Sequence, residues 1–407
     1  MTAAGALRAG SEVELRTVVE QGLGLRWQVD SDPYALGLDA LVGLALRDNP
    51  KRAQLVVSRV LGKHLPVDPA VALDAARRLA ALVAVDRPLV LGYCETATGL
   101  GHAVAEALPG AHYVHTTRRP DPSVPATTGF DEEHSHAVAH TLQLRDPSVL
   151  ADPARPVVLV DDELTTGTTA LNTVAALHAA HPHDRWVIAT LLDLRTPAVR
   201  AVFADRAAAM GVRVDVVALL SGSLALPDDA GERAAALRAD LAEVAPAPSP
   251  TGGGRVEVLD GAWPDGTPSG GRTGVDAGHA EPELAALTTA VAGRLSGGPV
   301  LVLGTEELMW LPLRLADGLA GRTDHPVLFQ STTRSPVLPA DLAGYAVRRV
   351  VLFPAPDEPG RTSRLHGLPD TPYADVVVVV DTSAQDARPL AEALRPWASG
   401  SVLLVTV

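Results

Sequence analysis

The stretch of sequence that most constrains the fold is VVLVDDELTTGTTAL, from Val157 to Leu171. Its first four residues are aliphatic, as in a strand that is buried on both faces of a parallel sheet. Two aspartates follow, then a turn rich in threonine, and then residues with the composition of a helix. A succession of strand, turn and helix is the repeating unit of α/β folds. We therefore predict an open, doubly wound parallel sheet that contains this strand.

The same stretch predicts a binding site for a phosphorylated sugar. Asp161 and Asp162 follow the strand, and open α/β sheets bind ligands beyond the carboxyl ends of their strands. A helix N-terminus offers unpaired N–H groups to a phosphate, and Gly167 permits a backbone geometry that a side chain would obstruct. The two carboxylates can accept hydrogen bonds from vicinal hydroxyls. The alternative is an acidic strand end before an ordinary threonine-capped helix.

These residues resemble the phosphoribosyl-pyrophosphate (PRPP) motif of type I phosphoribosyltransferases, a hydrophobic strand followed by two acidic residues and a T-x-G-T-type turn. The resemblance implies that Asp161 and Asp162 hold the ribose hydroxyls and take part in catalysis. Glu163 departs from the motif, which usually has an aliphatic residue there, but we include it in the PRPP site. Magnesium is expected to bind through PRPP, without a dedicated protein cage. The predicted cradle for the 5′-phosphate consists of Thr165, Thr166, Gly167, Thr168 and Thr169.

A second turn, CETATGLG, lies between a strand and a helix earlier in the chain. The corresponding turn of type I phosphoribosyltransferases holds pyrophosphate, although a packing turn is the alternative for such a sequence. Glu95 is expected to bind a magnesium-associated water or to cap the helix. Lys63 is one of only two lysines and joins the predicted pyrophosphate site, with a solvent-facing side chain as the alternative. The residues of the turn are Glu95, Thr96, Ala97, Thr98 and Gly99.

A Pro- and Gly-bearing segment without periodicity follows Arg118 and Arg119. In the resembling family such a loop closes over the transition state, and one of these arginines is expected to pair with pyrophosphate. The segment ends at FDEEHSHA, where Glu133 or His134 is the candidate proton acceptor for a nitrogen nucleophile. His134 and His136 are too close in sequence to share a helix face, so we do not expect a zinc site.

Two alternations of strands and helices run along the chain, one from Pro88 to Leu220 and one from Pro299 to the C-terminus. Helical spacing of apolar residues precedes the first, over 39–47, 54–62 and 69–85. We predict a transferase domain with an N-terminal helical segment over 1–244, a Pro/Gly-rich linker or irregular lobe over 245–281, and an α/β domain over 282–407. The two alternations share Glu, Thr-Thr-Arg and strand-end Asp with nearly equal spacing. They indicate a divergent duplication or a chance likeness of two α/β units.

The second alternation contains Thr333-Arg334-Ser335-Pro336. This matches the TRSP signature of a domain that resembles the C-terminal partner of an orotate-phosphoribosyltransferase-like domain in bacterial tellurium-resistance (Ter) stress operons. Its phosphate turn, DTSAQD, lacks glycine and the paired carboxylates, so we do not expect it to bind PRPP in the usual way. A second anionic-ligand site and a domain-interface network are alternative roles for Glu306, Glu307, Arg314, Thr333, Arg334 and Ser335.

Composition excludes several other functions. The net charge of −14 argues against a nucleic-acid surface, and a single cysteine, Cys94, excludes an intramolecular disulfide. No apolar run approaches membrane-spanning length and the opening residues lack a signal-peptide core, so we expect a cytoplasmic protein without membrane contact.

The resemblance implies a PRPP-dependent phosphoribosyltransferase that releases pyrophosphate and modifies an unidentified, nitrogenous base-like acceptor in a nucleoside-like or stress-response pathway. One alternative is a non-catalytic, PRPP-sensing regulatory or scaffold protein, and another is a bifunctional chain with an active second unit. The expected partners are PRPP, a small-molecule acceptor, a second copy of the chain and operon-encoded enzymes.

Overall fold

The helices and strands form two α/β units that pack against each other. A computed structural model describes residues 15–47, 53–130, 140–358 and 360–407. The elements of the N-terminal unit are α1 (Thr17–Leu23), β1 (Arg26–Ser31), α2 (Leu38–Leu41), β2 (Val42–Leu46), β3 (Gln54–Ser58), α3 (Pro69–Val83), β4 (Leu89–Gly92), α4 (Thr98–Glu106), β5 (His112–His115), β6 (Thr128–Phe130), β7 (His140–Leu142), a 3-10 helix (Pro147–Leu150), β8 (Val157–Leu164), α5 (Thr168–Ala180), β9 (Trp186–Asp193), α6 (Pro197–Ala209), β10 (Val214–Ala225) and α7 (Ala230–Ala242).

The rest of the chain forms the C-terminal unit and the segment that leads to it. Its elements are β11 (Arg255–Leu259), β12 (Val275–Asp276), α8 (Glu281–Ala292), β13 (Val300–Gly304), α9 (Trp310–Ala320), β14 (Val327–Ser331), β15 (Val350–Pro354), β16 (Thr362–His366), β17 (Tyr373–Val380), α10 (Ala384–Leu394), a 3-10 helix (Arg395–Trp397) and β18 (Ala398–Thr406).

The sheet of the N-terminal unit has the order β1-β10-β9-β8-β4-β5-β12. Its five inner strands are parallel, while β1 and β12 are antiparallel additions at the two edges. The chain moves from β4 to β5 in one direction and from β8 to β9 in the other, so the strand order reverses between β4 and β8. The predicted mixed α/β fold is confirmed, and its topological switch point lies beside the VVLVDDEL strand.

The C-terminal unit repeats this arrangement with the strand order β11-β18-β17-β13-β14, in which all strands are parallel. Its switch point lies between β13 and β17. The segment 245–281 contributes to both sheets, because β11 pairs with β18 and β12 pairs with β5. Residues predicted as a linker or irregular lobe therefore include two short strands.

A layer of helices joins the two units. α4 contacts both α3 and α9, and α9 covers β13 and β14. The rings of His102 on α4 and Trp310 on α9 stack with centroids 4.3 Å apart. Trp310 Nε1 also donates to Glu106 at 2.9 Å, and Arg314 pairs with the same carboxylate at 2.7 Å. The two sheets therefore share one apolar core through these helices.

The helical prediction for residues 39–47 and 54–62 is wrong over most of its length. β2 and β3 form an antiparallel hairpin in which Val42 pairs with Ser58 and Leu46 pairs with Gln54. Alternate residues of β3 are buried, so the period is two rather than 3.6. The third predicted helix is confirmed as α3, which begins after Asp68 caps the N–H of Ala70. Across the described residues, no helix is both long and apolar enough to cross a membrane.

A buried carboxylate fixes the register of the second sheet. Asp375 on β17 is fully buried and accepts hydrogen bonds from the backbone N–H and hydroxyl of Ser296, at 2.6 and 2.8 Å. It also accepts from the backbone N–H and hydroxyl of Ser401 on β18, at 3.0 and 2.9 Å. Four donors thus depend on one side chain.

We expect Asp375→Ala to lower the free energy of unfolding by about 3 kcal/mol or more, because it leaves the two buried donors of Ser401 and the two donors of Ser296 without their charged acceptor. Urea denaturation would measure the change, with Asp228→Ala in an exposed loop as the control. Equal stability of the two variants would contradict this account of the register.

Candidate functional site

A cavity of about 440 Å³ opens at the switch point between β4 and β8. The acidic residues at the end of β8 form one wall, and the turn after β4 forms another. Side chains from the β2–β3 hairpin and from the C-terminal unit close the remaining sides. The lining residues are Arg47, Leu55, Val56, Lys63, His64, Tyr93, Cys94, Glu95, Thr96, Arg118, His140, Asp161, Asp162, Glu163, Leu164, Thr165, Thr166, Gly167, Thr168, Thr169, Ala170, Thr333, Arg334, Ser335 and Pro336.

Strand β8 carries the carboxylates into the cavity. It extends to Leu164, so Asp161, Asp162 and Glu163 are held by pairing with β9 rather than placed in a loop. The backbone N–H of Asp162 donates to Asp161 Oδ1 at 2.9 Å. Burial, together with the neighbouring charge of Asp162, raises the pKa of Asp161 well above its usual range. Two adjacent carboxylates therefore face the cavity at an electrostatic cost.

The turn from Thr165 to Thr169 adopts the geometry that the sequence predicted. Gly167 has φ of +77° and precedes the first turn of α5, to whose N–H groups it offers no capping side chain. A Cβ atom at Gly167 would lie 2.6 Å from the ring of Phe203. The Thr168 N–H donates to the hydroxyl of Thr166 at 3.2 Å, which tightens the turn.

Residues outside the motif pack against this turn through Phe203. Arg195 lies with its guanidinium carbon 4.4 Å from the centroid of Phe203 and forms two hydrogen bonds to Asp193, at 2.8 and 2.9 Å. Both charged side chains are buried. This support was not predicted from the sequence, although an Asp and an Arg at the end of an apolar strand are a signal for it.

The turn after β4 lies opposite the acidic residues. Glu95 is buried and follows a cis peptide bond, and Lys63 Nζ donates to the hydroxyl of Thr96. Lys63, Glu95, Thr96 and Arg118 line the cavity, as the predicted pyrophosphate site requires. Ala97, Thr98 and Gly99 do not line this cavity, because Ala97 is buried, Gly99 packs against Met309, and Thr98 at the start of α4 faces a second cavity.

Cys94 is packed rather than reactive. Burial is the main reason that the pKa of its thiol is raised to about 12, so the thiolate is scarce at neutral pH. Its backbone N–H donates to Thr116 at 3.0 Å, and the same hydroxyl lies 3.0 Å from Nδ1 of His140. His140 and Tyr93 also line the cavity, although the sequence did not predict them as site residues. The predicted proton acceptors Glu133 and His134 lie outside the described residues.

The structure does not bring Arg119 to this cavity. Its guanidinium pairs with Asp357 and lies 3.6 Å from Asp381, and both carboxylates belong to the C-terminal unit. Arg118 and Arg119 lie in a bend beyond the end of β5, where Arg118 lines this cavity and Arg119 turns to the C-terminal unit.

The residues predicted as a second site are divided between two places. Thr333, Arg334 and Ser335 line the cavity described above, although they belong to the C-terminal unit. Glu307 instead lines a second cavity of about 700 Å³ at the switch point of the second sheet. Asp381 lies there too, and Arg272 lies 2.8 Å from Asp381 and 3.7 Å from Glu307. Arg314 lies at the helical interface with Glu106.

The helix that follows β17 has a capping serine at the position that Gly167 occupies before α5. The Ser383 hydroxyl accepts from the backbone N–H of Asp386 at 3.1 Å and so occupies one of the free donors. Within the described residues, no group of three or more His, Cys, Asp or Glu side chains is arranged to hold a metal ion.

Together, the open sheet, the paired carboxylates and the glycine turn form a candidate ligand site at the switch point of an α/β protein. Residues 41–223 match the family model described as phosphoribosyl transferase, and residues 269–394 match that of the TRSP domain, which is C-terminal to it. The chain therefore carries a phosphoribosyl transferase family domain followed by a TRSP domain.

Solved structures similar to the chain include adenine phosphoribosyltransferases. The enzyme from Trypanosoma brucei is 17% identical, with 50% of this chain and 79% of that chain covered and a TM-score of 0.32. The enzyme from Giardia lamblia is 22% identical, with coverages of 44% and 92% and a TM-score of 0.32. The enzyme from Rhodothermus marinus is 17% identical, with coverages of 45% and 96% and a TM-score of 0.30. No curated protein sequence matches the chain.

The raised pKa of Asp161 gives a pH-dependent test of the site. A carboxyl group whose pKa is higher in the folded state destabilises the fold as pH rises from about 4 through that raised pKa. We expect Asp161→Asn, without ligand or Mg²⁺, to have a higher Tm than the wild type, with a difference that grows from pH 5 to pH 8. Calorimetry would measure it beside the exposed control Asp205→Asn. A pH-independent difference would contradict the assignment.

Proposed function

We propose that the protein transfers the 5-phosphoribosyl group of PRPP to a nitrogen atom of an acceptor and releases pyrophosphate. The observation that carries the proposal is that two turns face one cavity from opposite sides. The turn with Gly167 follows the carboxylates of β8, and the turn with Glu95 follows β4. PRPP has a phosphate at one end of a ribose and a pyrophosphate at the other, and this polarity matches the two turns.

The ribose would lie over the end of β8. Asp161 and Asp162 would accept hydrogen bonds from its 2′- and 3′-hydroxyls, and the turn from Thr165 to Thr169 would hold its 5′-phosphate. The raised pKa of Asp161 in the ligand-free protein does not oppose this role, because hydrogen bonds from hydroxyls favour its charged form. These hydrogen bonds would therefore offset the repulsion between the two carboxylates.

The reaction breaks the bond between the anomeric carbon and a pyrophosphate oxygen, and the electron pair leaves with pyrophosphate. The acceptor nitrogen supplies the pair for the new bond and loses a proton, for which Glu133 and His134 remain the predicted acceptors. Asp161 and Asp162 stabilise the positive charge that develops on the ribose. Mg²⁺ bound with PRPP would neutralise the leaving group, and Glu95 supplies a carboxylate at that end of the cavity.

The acceptor would lie against the β2–β3 hairpin. Leu55 and Val56 give this wall an apolar surface, and His64 stands beside them. Burial lowers the pKa of His64 well below its usual value, so its ring is neutral. Its Nε2 has no hydrogen-bond partner among the described residues. An apolar wall with one buried imidazole nitrogen that lacks a hydrogen-bond partner suits a planar, nitrogenous base-like acceptor.

Removal of the acidic pair tests the proposal directly. We expect Asp161→Asn with Asp162→Asn to weaken PRPP binding a hundredfold or more, because each hydrogen bond to a charged group contributes about 1.5–3 kcal/mol. Calorimetric titration with PRPP and Mg²⁺, and pyrophosphate release in the presence of a panel of bases, would measure the loss. The exposed pair Asp205→Asn with Asp228→Asn is the control.

Wild-type affinity in the double variant would reject the site. Tight PRPP binding by the wild type without pyrophosphate release for any base would instead favour a PRPP-sensing protein.

The glycine turn offers a second test with a matched control. Gly167→Ala and Gly211→Ala both place a side chain at positive φ, of +77° and +71°, which costs about 1–3 kcal/mol of stability. Only Gly167 faces the cavity, and a Cβ at Gly211 meets no atom within 4 Å. We expect Gly167→Ala alone to weaken binding of ribose 5-phosphate, by about tenfold or more, because the Cβ pushes against Phe203 and moves the turn. Equal affinities of the two variants would count against the phosphate cradle.

A further inference from the structure

Each unit holds an arginine-bearing turn of the other. Glu307, after β13, accepts hydrogen bonds from the Thr117 hydroxyl at 2.7 Å and from the Arg118 backbone N–H at 2.9 Å. Glu95, after β4, accepts from the backbone N–H of Arg334 at 3.4 Å. Both glutamates are buried and stand at corresponding places in the two units. Each glutamate thus holds the arginine-bearing turn of the other unit, and these paired contacts place Arg118 and Arg334 at the same cavity.

The turn that carries Arg334 is fixed from its other side as well. The backbone groups of Thr333 exchange two hydrogen bonds with Arg364, at 2.8 and 2.9 Å. The ring of His366 lies 2.9 Å from the carbonyl oxygen of Ser335, and the Ser335 N–H donates to the hydroxyl of Thr333 at 3.1 Å. A turn held at both ends presents its side chains to the cavity in one arrangement.

The guanidinium of Arg334 is anchored on its inner edge. Nε donates to Glu306 at 2.8 Å, and Glu306 is almost fully buried and also pairs with Arg361. Nη2 lies 3.3 Å from Glu358 at the rim. Nε is 4.0 Å from Glu95, the first residue of the turn after β4, and 26% of the side chain stays exposed. Because Glu306 shares its charge with two arginines, it does not by itself neutralise Arg334.

Lys63 reaches the same turn from another direction, through its contact with Thr96. The turn itself, from Glu95 to Gly99, contains no basic residue. A pyrophosphate bound there would gain negative charge as its bond to ribose breaks, and a planar guanidinium fork binds phosphate oxygens better than a point charge does. Positive charge for this half of the cavity is thus supplied from outside the turn.

We propose that Arg334 of the TRSP domain binds the pyrophosphate half of PRPP in the first cavity, so that one active site is built from both domains. This inference rests on the proposed function and adds a residue that the phosphoribosyl transferase domain does not contain. The C-terminal unit, whose own phosphate turn lacks glycine, thereby takes part in the reaction of its neighbour.

The two halves of PRPP can be tested separately on the full-length protein. Calorimetric titrations would use ribose 5-phosphate alone and inorganic pyrophosphate with Mg²⁺. We expect Arg334→Gln to weaken pyrophosphate binding about tenfold or more and to leave ribose 5-phosphate binding within twofold of the wild type. Arg334→Lys keeps the charge but loses the planar guanidinium, so its pyrophosphate affinity should lie between those of the wild type and of Arg334→Gln. Should the glutamine variant fail to fold, the lysine variant decides, because it can keep the ion pair with Glu306.

Arg348→Gln is the matched control, since Arg348 lies in the same unit and also pairs with two carboxylates, but away from the cavity. It should bind both ligands like the wild type. Unchanged pyrophosphate affinity in the Arg334 variants, or an equal loss for both ligands, would overturn the inference and leave the proposed function standing. A wild-type protein that binds neither ligand would overturn both.

Discussion

The arrangement of the whole chain depends on two buried glutamates that cross between its units. Glu95 and Glu307 each leave their own sheet and accept backbone or hydroxyl hydrogen bonds from the strand-end turn of the other. A buried carboxylate is costly unless donors surround it, so each glutamate requires the opposite turn to be in place. Burial raises the pKa of Glu307, but the neighbouring His115 and Arg119, together with the hydrogen bonds from Thr117 and Arg118, hold it below its usual value. The exchange thus makes the two units mutually dependent.

This dependence explains why the second cavity differs from the first. In the first cavity, Asp161 and Asp162 stand next to each other, and among the described residues no basic side chain forms a hydrogen bond with them; burial and the charge of Asp162 raise the pKa of Asp161. In the second, Asp381 faces Arg119 and Arg272, and these charges hold its pKa below the usual value despite burial. The two arginines already compensate the charge of this carboxylate. The first site is left under electrostatic strain that a ligand can relieve, while the second is compensated internally.

The central strand, its carboxylates and the glycine turn could be predicted because their chemistry is local. Four aliphatic residues, two aspartates and Gly167 each have a role that follows from neighbours in sequence. The β2–β3 hairpin could not be predicted in the same way. Short apolar runs such as VGLAL and QLVVS fit either a buried strand or a helix, and tertiary pairing decides between them. The positions of Arg119 and Arg334 were equally inaccessible. Which of two adjacent arginines enters a cavity depends on the exact strand end, and Arg334 meets Glu95 only across the domain interface.

The two units resemble each other in the residues that form their interface. Both have a glutamate after the first strand of the switch point and a Thr-Thr-Arg turn after the next strand. In each unit the glutamate accepts a hydrogen bond from the arginine backbone of the other unit's turn. If each unit had its own site, both units would need a phosphate turn. A single site between the units needs only one phosphate turn, together with the arginine that the other unit supplies. Loss of glycine from the turn at Asp381 would then remove one site without removing the contribution of Arg334 to the other. The TRSP residues would be retained for the cavity that they line, rather than for the sheet that carries them.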